Sequence, residues 1–261
     1  MSWNPVRYLN GWMCTKVSPG CWNCYAESMN LRFGNNYRYG DFSSKAEFSL
    51  DEKVLNQPLH WRTPRHIFVQ SMGDLFHEKI PREFIAKVFD VACKAYIDKA
   101  HISQFLTKRP ERMKNEFAIW SHLRGNDMTG MYGFRLGVSV ENQEWADKRI
   151  PLLLQITAAV RFISAEPLLG PLDLWKPEYP APGGGKQGAV TSWPGGLDWV
   201  IVGPETGSAR RPCKVEWIED IVAQCDEAGV PVFVKALPIG KRISHDPAEW
   251  PEHLRRREKP K

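Results

Sequence analysis

The sequence lacks the features of membrane and secreted proteins. None of its apolar runs is long enough to cross a bilayer, which takes about 20 consecutive apolar residues. The sequence opens with MSWNP (residues 1–5) and not with the basic segment and following apolar stretch that are found in signal peptides. Cysteine is scarce, at six residues, and a chain without a secretory signal is not expected to form disulfides. We therefore expect a cytoplasmic protein that does not associate with membranes.

Several signatures of nucleotide and nucleic-acid binding are missing as well. The sequence has no RNP, zinc-finger or helix-turn-helix pattern. The glycine run at 183–185 lies in a Pro/Gly-rich loop at 177–196, so we do not interpret it as a phosphate-binding loop. That loop is either a mobile lid or a tolerated insertion. The formal net charge is +5, and much of the excess lies in residues 255–261, which are typical of a solvated basic tail.

The most informative feature that is present is a run of three cysteines near the N terminus. Cys14, Cys21 and Cys24 have the spacing C-x6-C-x2-C. Thiolates this close together can hold one soft metal centre with one coordination position left open. The spacing therefore favours a catalytic zinc or an iron–sulfur cluster with one open iron, and a redox pair is the alternative. Cys93 and Cys225 lie inside helical patterns and are expected to be buried apolar residues.

Short β-rich runs alternate with helical stretches along the rest of the chain. The candidate strands are 67–71, 101–107, 134–140, 160–164, 199–203 and 230–235, with a further one near the N terminus. The helices begin near Pro81, Pro110, Gln143 and Val215. This repetition predicts an α/β fold, a single parallel (βα) barrel or partial TIM-like barrel. We expect one domain over 1–261, with a cluster-binding loop at about 10–30, the barrel up to about 240 and a basic tail at about 241–261.

Polar residues follow each predicted strand. In a parallel barrel the carboxyl ends of the strands meet at one face, where the active site lies. Any one of these residues could be an ordinary loop residue, but their recurrence after every strand favours a common site. The candidate catalytic residues are Lys108, Arg109, Glu141, Glu166, Glu205 and Lys235.

Seven blocks of the sequence resemble the phage-associated three-Cys-motif family. They begin at residues 3, 14, 71, 106, 137, 164 and 199, and read WNP, CTKVSPGCWNCYA, SMGDLFH, LTKRP, GVSVENQ, SAEPLLG and WVIVG. The resemblance covers the chain from about Trp3 to Lys235. Members of that family resemble radical S-adenosylmethionine (SAM) enzymes and mostly lack an assigned reaction.

The resemblance implies a [4Fe–4S] cluster held by Cys14, Cys21 and Cys24, with SAM on the fourth iron. An electron donor would reduce the cluster, and SAM would then be cleaved to methionine and a 5′-deoxyadenosyl radical that takes a hydrogen atom from the substrate. Asp74 is the residue expected to receive the SAM ammonium group. The cofactor-binding residues implied in this way are Ser71, Met72, Gly73, Asp74, Ser139 and Ser164.

The sequence departs from the usual radical SAM pattern at two places. The usual cysteine spacing is C-x3-C-x2-C, whereas the first gap here has six residues, and the aromatic Trp22 directly follows Cys21 instead of preceding Cys24. Pro204 stands where relatives tend to have glycine, so the backbone N–H at that position is missing.

The substrate is predicted from charge. Basic residues after the strands favour an anionic substrate such as DNA, RNA or a nucleotide, and a partner protein could deliver it. These residues are Lys108, Arg109, Arg210, Arg211 and Lys235. Two other classes stay open. One is a zinc-dependent hydrolase or deaminase with Glu166 as base. The other is a nucleic-acid-binding module stapled by a metal, which the strand-end carboxylates disfavour because they would repel phosphate.

Overall fold

The computed structural model describes residues 1–34, 36–43, 46–125, 129–176, 178–180, 186–190 and 196–260. Contacts divide the chain into two compact units, and each has its own core. The first comprises Met1–Val17 and Cys24–Leu136, and the second comprises Ser18–Asn23 and Gly137–Lys261. The glycine run at 183–185 and most of the predicted lid at 177–196 lie outside the described residues. The single domain stays a prediction.

The first unit is built mainly from residues that precede the middle of the chain. Its strands are β1 (Ser2–Trp3), β2 (Val6–Tyr8), β3 (Phe48–Leu50), β4 (His66–Val69), β5 (Ile102–Thr107) and the first half of β6 (Phe134–Ser139). Its helices are α1 (Tyr25–Phe33), α2 (Glu52–Leu55), α3 (Gln57–His60), α4 (Arg82–Lys99) and α5 (Pro110–Leu123), with a 3₁₀ turn at Thr129–Gly133.

The second unit contains the rest of β6 and the C-terminal part of the chain. Its further strands are β7 (Val160–Ala165), β8 (Tyr179–Pro180), β9 (Lys186–Gln187), β10 (Trp199–Val202), β11 (Val232–Val234), β12 (Leu237–Ile239) and β13 (Arg242–Ser244). Its helices are α6 (Gln143–Leu153) and α7 (Val215–Ala228), with 3₁₀ turns at Pro19–Cys21, Pro247–Glu249 and Glu252–Leu254.

The main sheet is parallel and has seven strands in the order β1-β4-β5-β6-β7-β10-β11. This order follows the chain without reversal, as in a barrel, whereas a doubly wound sheet reverses direction at a switch point. The edges are β1 and β11, so the sheet of described residues is open. The α/β class and the parallel sheet are confirmed, in the partial rather than the closed form of the predicted barrel. All six predicted strands and four predicted helix starts fall within two residues of observed elements.

An aromatic cluster forms the core of the first unit. Phe89 of α4 lies 5.2 Å from Phe105 of β5 and 5.8 Å from Phe134 of β6, measured between ring centroids. Cys93 on the same helix is buried, as predicted, and a Cβ atom at Gly130 would lie 1.9 Å from its Sγ. Glycine is therefore required where the 3₁₀ turn crosses α4. No helix in the described part of the chain has both the length and the apolar composition needed to span a bilayer.

The C-terminal segment of the second unit covers an edge of the sheet. Val234 N of β11 donates to Arg256 O at 2.9 Å, and Glu258 N donates to Val232 O at 3.1 Å. The guanidinium of Arg257 lies over the rings of Phe233 and Trp250, at 4.7 and 4.9 Å from their centroids. Pairing of this kind removes an exposed strand edge. The expectation of a solvated tail is therefore wrong for these residues, because they complete the hydrogen bonds of β11.

Candidate active site

Two of the three clustered cysteines belong to the first unit and share one environment. Cys24 is the N-cap residue of α1, and Cys14 lies in the loop after β2. Both are half-buried and pack against a small apolar cluster formed by Tyr8, Met13, Ala26 and Tyr39. Thiols in such surroundings have limited contact with water, which alters the electrostatics of any metal they bind.

Tyr39 connects this cluster to the end of β4. Its hydroxyl donates to Met72 O at 2.5 Å, and its backbone N donates to Glu27 Oε1 at 3.0 Å. Burial raises the pKa of Tyr39 above its usual value, and the electrostatic effect of the nearby Cys24 and Cys14 side chains raises it further. The hydroxyl therefore stays protonated and remains a donor. Nothing in the local sequence singled out this tyrosine.

Arg109 brings a positive charge to Cys14. Its Nη1 lies 3.9 Å from Cys14 Sγ and 3.0 Å from Asp74 Oδ2, and its Nε donates to Glu78 Oε2 at 2.7 Å. Nη2 also donates to Thr15 Oγ1. Burial opposes the charge of the guanidinium, but Asp74, Cys14 and Glu78 together raise its pKa. The side chain of Arg109 is a permanent cation beside a sulfur atom, and it joins two other predicted site residues, Cys14 and Asp74.

Asp74 is the anchor of this network. Its carboxylate accepts hydrogen bonds from Thr107 Oγ1 at 2.7 Å, Phe76 N at 2.9 Å and Lys108 N at 3.2 Å, besides the one from Arg109. The acceptor positions of both oxygens are therefore used to fasten the end of β5 to the loop after β4. Its predicted contact with the SAM ammonium group stays a prediction.

The backbone at Ser71–Gly73 is held by a residue that the strand pattern did not reveal. Asn4 Oδ1 accepts from Met72 N at 3.0 Å and from Ser71 Oγ at 3.2 Å. A Cβ atom at Gly73 would lie 3.2 Å from Met13 O, so glycine allows a close approach of the two backbones. Asn4 belongs to the WNP block of the sequence, which was the one available signal.

His77 lies in the core of the same unit, behind Arg109. Its Nδ1 accepts from Lys79 N at 3.1 Å, so the proton of the neutral ring is on Nε2, which faces Thr15 Oγ1 at 3.1 Å. The ring centroids of Phe42 and Phe48 each lie 5.5 Å from the centroid of the His77 ring. Burial, and then the neighbouring charge of Arg109, lowers the pKa of His77 from 6.5 to about 4.

This depressed pKa predicts a pH dependence of stability. The neutral ring contributes its full stabilisation above pH 6.5 and loses it as the pH falls through about 4, because the unfolded chain binds the proton more tightly. The difference between the pKa values of His77 in the unfolded and folded states corresponds to about 3 kcal/mol of stability. We expect urea unfolding at pH 7 and pH 4 to show this loss in the wild type and not in His77→Gln. The exposed His122→Gln, in the same unit, should behave as the wild type; an equal loss in His77→Gln would contradict the assignment.

The third clustered cysteine belongs to the second unit, where a buried carboxylate fixes its turn. Ser18 Oγ donates to Glu141 Oε1 at 2.6 Å and lies 3.8 Å from Cys21 Sγ. A Cβ atom at Gly20 would lie 2.4 Å from Glu141 Cγ, so only glycine leaves room for this side chain. Glu141, predicted as catalytic, therefore holds the Pro19–Cys21 turn from behind.

Glu141 is in turn paired with a buried cation. Arg149 Nη1 donates to Glu141 Oε2 at 2.9 Å and to Ser139 O at 2.7 Å, and the side chains of Arg149 and Glu141 are 2% and 0% exposed. Ser139 and Ser164, the two predicted cofactor contacts of this unit, are buried at the ends of β6 and β7. Sequence reasoning missed Arg149.

The predicted residues after β7, β10 and β11 form two ion pairs in the second unit. Lys235 Nζ lies 2.8 Å from Glu166, and both side chains are partly exposed. Glu205 is buried and pairs with Arg211 through both carboxylate oxygens. Burial alone would raise the pKa of Glu205, but hydrogen bonds from Arg211 and then Asn23 lower it below its usual value.

The other cysteines differ from the clustered three. Cys225 is buried in α7, and Cys213 is half-buried near Arg211. Burial raises the pKa of each thiol to about 12, so both stay protonated. Among the described residues, no group of three or more histidine, cysteine, aspartate or glutamate side chains is arranged to hold a metal ion.

No curated protein and no solved structure was found to match the chain. A family model described as a protein of unknown function, DUF5131, matches residues 1–250, and the chain therefore belongs to that family.

Proposed function

We propose that this protein is a radical-SAM-like iron–sulfur enzyme, in which Cys14, Cys21 and Cys24 bind a [4Fe–4S] cluster and SAM is the second cofactor. The observation that carries the proposal is the contact between Arg109 and Cys14. A largely buried guanidinium beside a thiol stabilises the thiolate form, which is the form that binds metals. The resemblance of the cysteine and strand-end blocks to radical SAM proteins supplies the choice of cofactor.

The proposal is supported by the type of donor atom in the first unit, which supplies two cysteine sulfurs, rather than by a preformed metal site among the described residues. Sulfur ligands select iron–sulfur clusters or zinc over harder metals. Cys14 and Cys24 pack against the same apolar cluster, and burial of this kind, together with nearby hydrogen-bond donors, sets the potential of an iron–sulfur centre. Arg109 and Tyr39 are the nearby polar groups, and the first of these is charged.

The cofactors would supply one-electron reductive cleavage of SAM, which yields methionine and a radical that takes a hydrogen atom from the substrate. The chain's own residues position and shield. Asp74 holds Arg109 against Cys14, Tyr39 and Asn4 fix the backbone after β4, and Glu141 holds the turn that carries Cys21.

The residues that can contact the substrate are those whose side chains are partly exposed. Lys235 and Glu166 lie at the ends of β11 and β7, with their side chains 49% and 22% exposed, so both can contact a bound molecule. Glu141 has no exposed surface and acts by positioning. We propose an anionic substrate, a nucleic acid or a nucleotide, with Lys108, Lys235 and the arginines after β10 as its basic contacts, and an external electron donor.

The experiment is metal and sulfide analysis of protein purified without oxygen. We expect brown protein that contains iron and acid-labile sulfide and that forms 5′-deoxyadenosine from SAM when dithionite is added. Reactions without dithionite are the control and should form none. Colourless protein with one zinc per chain would overturn the proposal and support the zinc hydrolase or deaminase instead.

A further inference from the structure

Trp22 is an exposed aromatic residue in the turn between two clustered cysteines. The residue is 63% exposed, although the guanidinium carbon of Arg211 lies 5.6 Å from the centroid of its ring. Most of the indole therefore faces solvent. A tryptophan that served only to pack the fold or to shield a metal would be buried, as Trp3 is at 1% exposed.

We call the surface formed by the ring of Trp22 and the guanidinium of Arg211 the platform. Hydrogen bonds to Glu205 hold Arg211 and Asn23, the neighbour of Trp22, in place. Asn23 Nδ2 donates to Glu205 Oε2 at 3.0 Å and to Ala209 O at 2.8 Å. Arg211 donates to the same carboxylate from its backbone N at 2.7 Å and from Nε at 2.9 Å. Glu205 is only 5% exposed, so its hydrogen bonds are protected from water. The guanidinium of Arg211 and the residue next to Trp22 are thus held in place before any ligand arrives, which lowers the entropic cost of binding.

Two strand-end carboxylates of the second unit are neutralised by cations. Glu205 pairs with Arg211, and Glu166 pairs with Lys235 at 2.8 Å. Arg210 adds a further positive charge, since its guanidinium is held by Gly207 O at 2.9 Å and by Lys241 O. Repulsion of a phosphate by the strand-end carboxylates, the main objection to a nucleic-acid ligand, is therefore offset within the second unit.

We propose that Trp22 and Arg211 form a stacking platform for the base of a nucleotide, with Arg210 and Arg211 attracting the adjacent phosphate. A flat exposed ring beside a fixed guanidinium is the chemistry that binds unpaired bases regardless of their identity. The ligand is a nucleotide unit with an unpaired base, either free or within a single strand. This inference names the substrate class of the proposed enzyme and rests on that function.

The test is fluorescence anisotropy with a short fluorescein-labelled oligothymidylate, and calorimetry with AMP. We expect Trp22→Ala to weaken binding of whichever probe the wild type binds by about tenfold or more, and Trp22→Phe to keep most of the affinity. Trp175→Ala is the matched control, because Trp175 is another exposed tryptophan of the second unit, and it should bind as the wild type does. Binding should also weaken as the salt concentration rises.

The outcomes separate the two sources of the base and the two proposals. Binding of the oligonucleotide alone supports a single strand, and binding of AMP with similar affinity supports a free nucleotide. Unchanged affinity in Trp22→Ala, or no binding of either probe to the wild type, would overturn the platform. Iron content is measured on the same samples. Wild-type protein without iron would contradict the iron–sulfur proposal. The affinities of the variants would still show whether the platform binds the base.

Discussion

Cys21→Ala is expected to yield protein without iron, without brown colour and without formation of 5′-deoxyadenosine. A cluster that depends on three protein thiolates loses a full coordination position when one of them becomes a methyl group. Cys14→Ala and Cys24→Ala should give the same result. Iron content, absorbance in the visible range and product yield are measured on anaerobically purified samples of each variant.

Cys213→Ala is the matched control for this series. Cys213 is also half-buried, and burial keeps its thiol protonated by raising its pKa to about 12. The variant should retain the iron, the colour and the product of the wild type. If Cys21→Ala kept a full complement of iron while remaining folded by circular dichroism, Cys21 would not be a ligand and the assignment of the three-cysteine run would be wrong.

Glu141→Ala is expected to destabilise the protein by about 3–5 kcal/mol, which is the usual cost of removing one partner of a buried ion pair. Arg149, whose side chain is 2% exposed, would keep its bond to Ser139 O but lose the carboxylate that balances its charge. The hydroxyl of Ser18 would lose its acceptor as well. The measurement is the free energy of unfolding in urea at pH 7.

Glu144→Ala, three residues further along the chain in the first turn of α6, supplies the comparison. Glu144 pairs with Lys148 at 2.6 Å, but both side chains are mostly exposed, so we expect a loss below about 1 kcal/mol. Because Glu141 holds the turn that carries Cys21, Glu141→Ala should also speed alkylation of Cys21 by iodoacetamide relative to Glu144→Ala. Equal stability of Glu141→Ala and Glu144→Ala would show that the buried pair does not support the turn.

The network around Asp74 changes how the strand-end residues are understood. The strand-end pattern predicts that Asp74 and Glu141 meet a cofactor or substrate. Each carboxylate accepts hydrogen bonds from its own unit, and each sets the position of a neighbour, Arg109 in one case and Ser18 in the other. Polar residues after parallel strands therefore also position the residues around them.

The sequence by itself determined the order and type of the elements. Runs of β-branched residues alternate with helical patterns that begin at proline or at capping residues, and such local signals fix where strands and helices start. The parallel sheet followed from that alternation, because strand, helix, strand repeats allow few other arrangements. The three-cysteine run was equally visible, since its information is contained in spacing alone.

Only the tertiary structure decided which charges neutralise each other and which side chains remain exposed. The partners of Glu141 and Glu205, the exposure of Trp22 and the pairing of residues 256–258 with β11 all depend on contacts between segments that are distant in the chain. A local pattern records whether a residue tends to be buried, but not what it will meet there. The energy of a buried charge is set by its nearest opposite charge, and the fold alone places that charge.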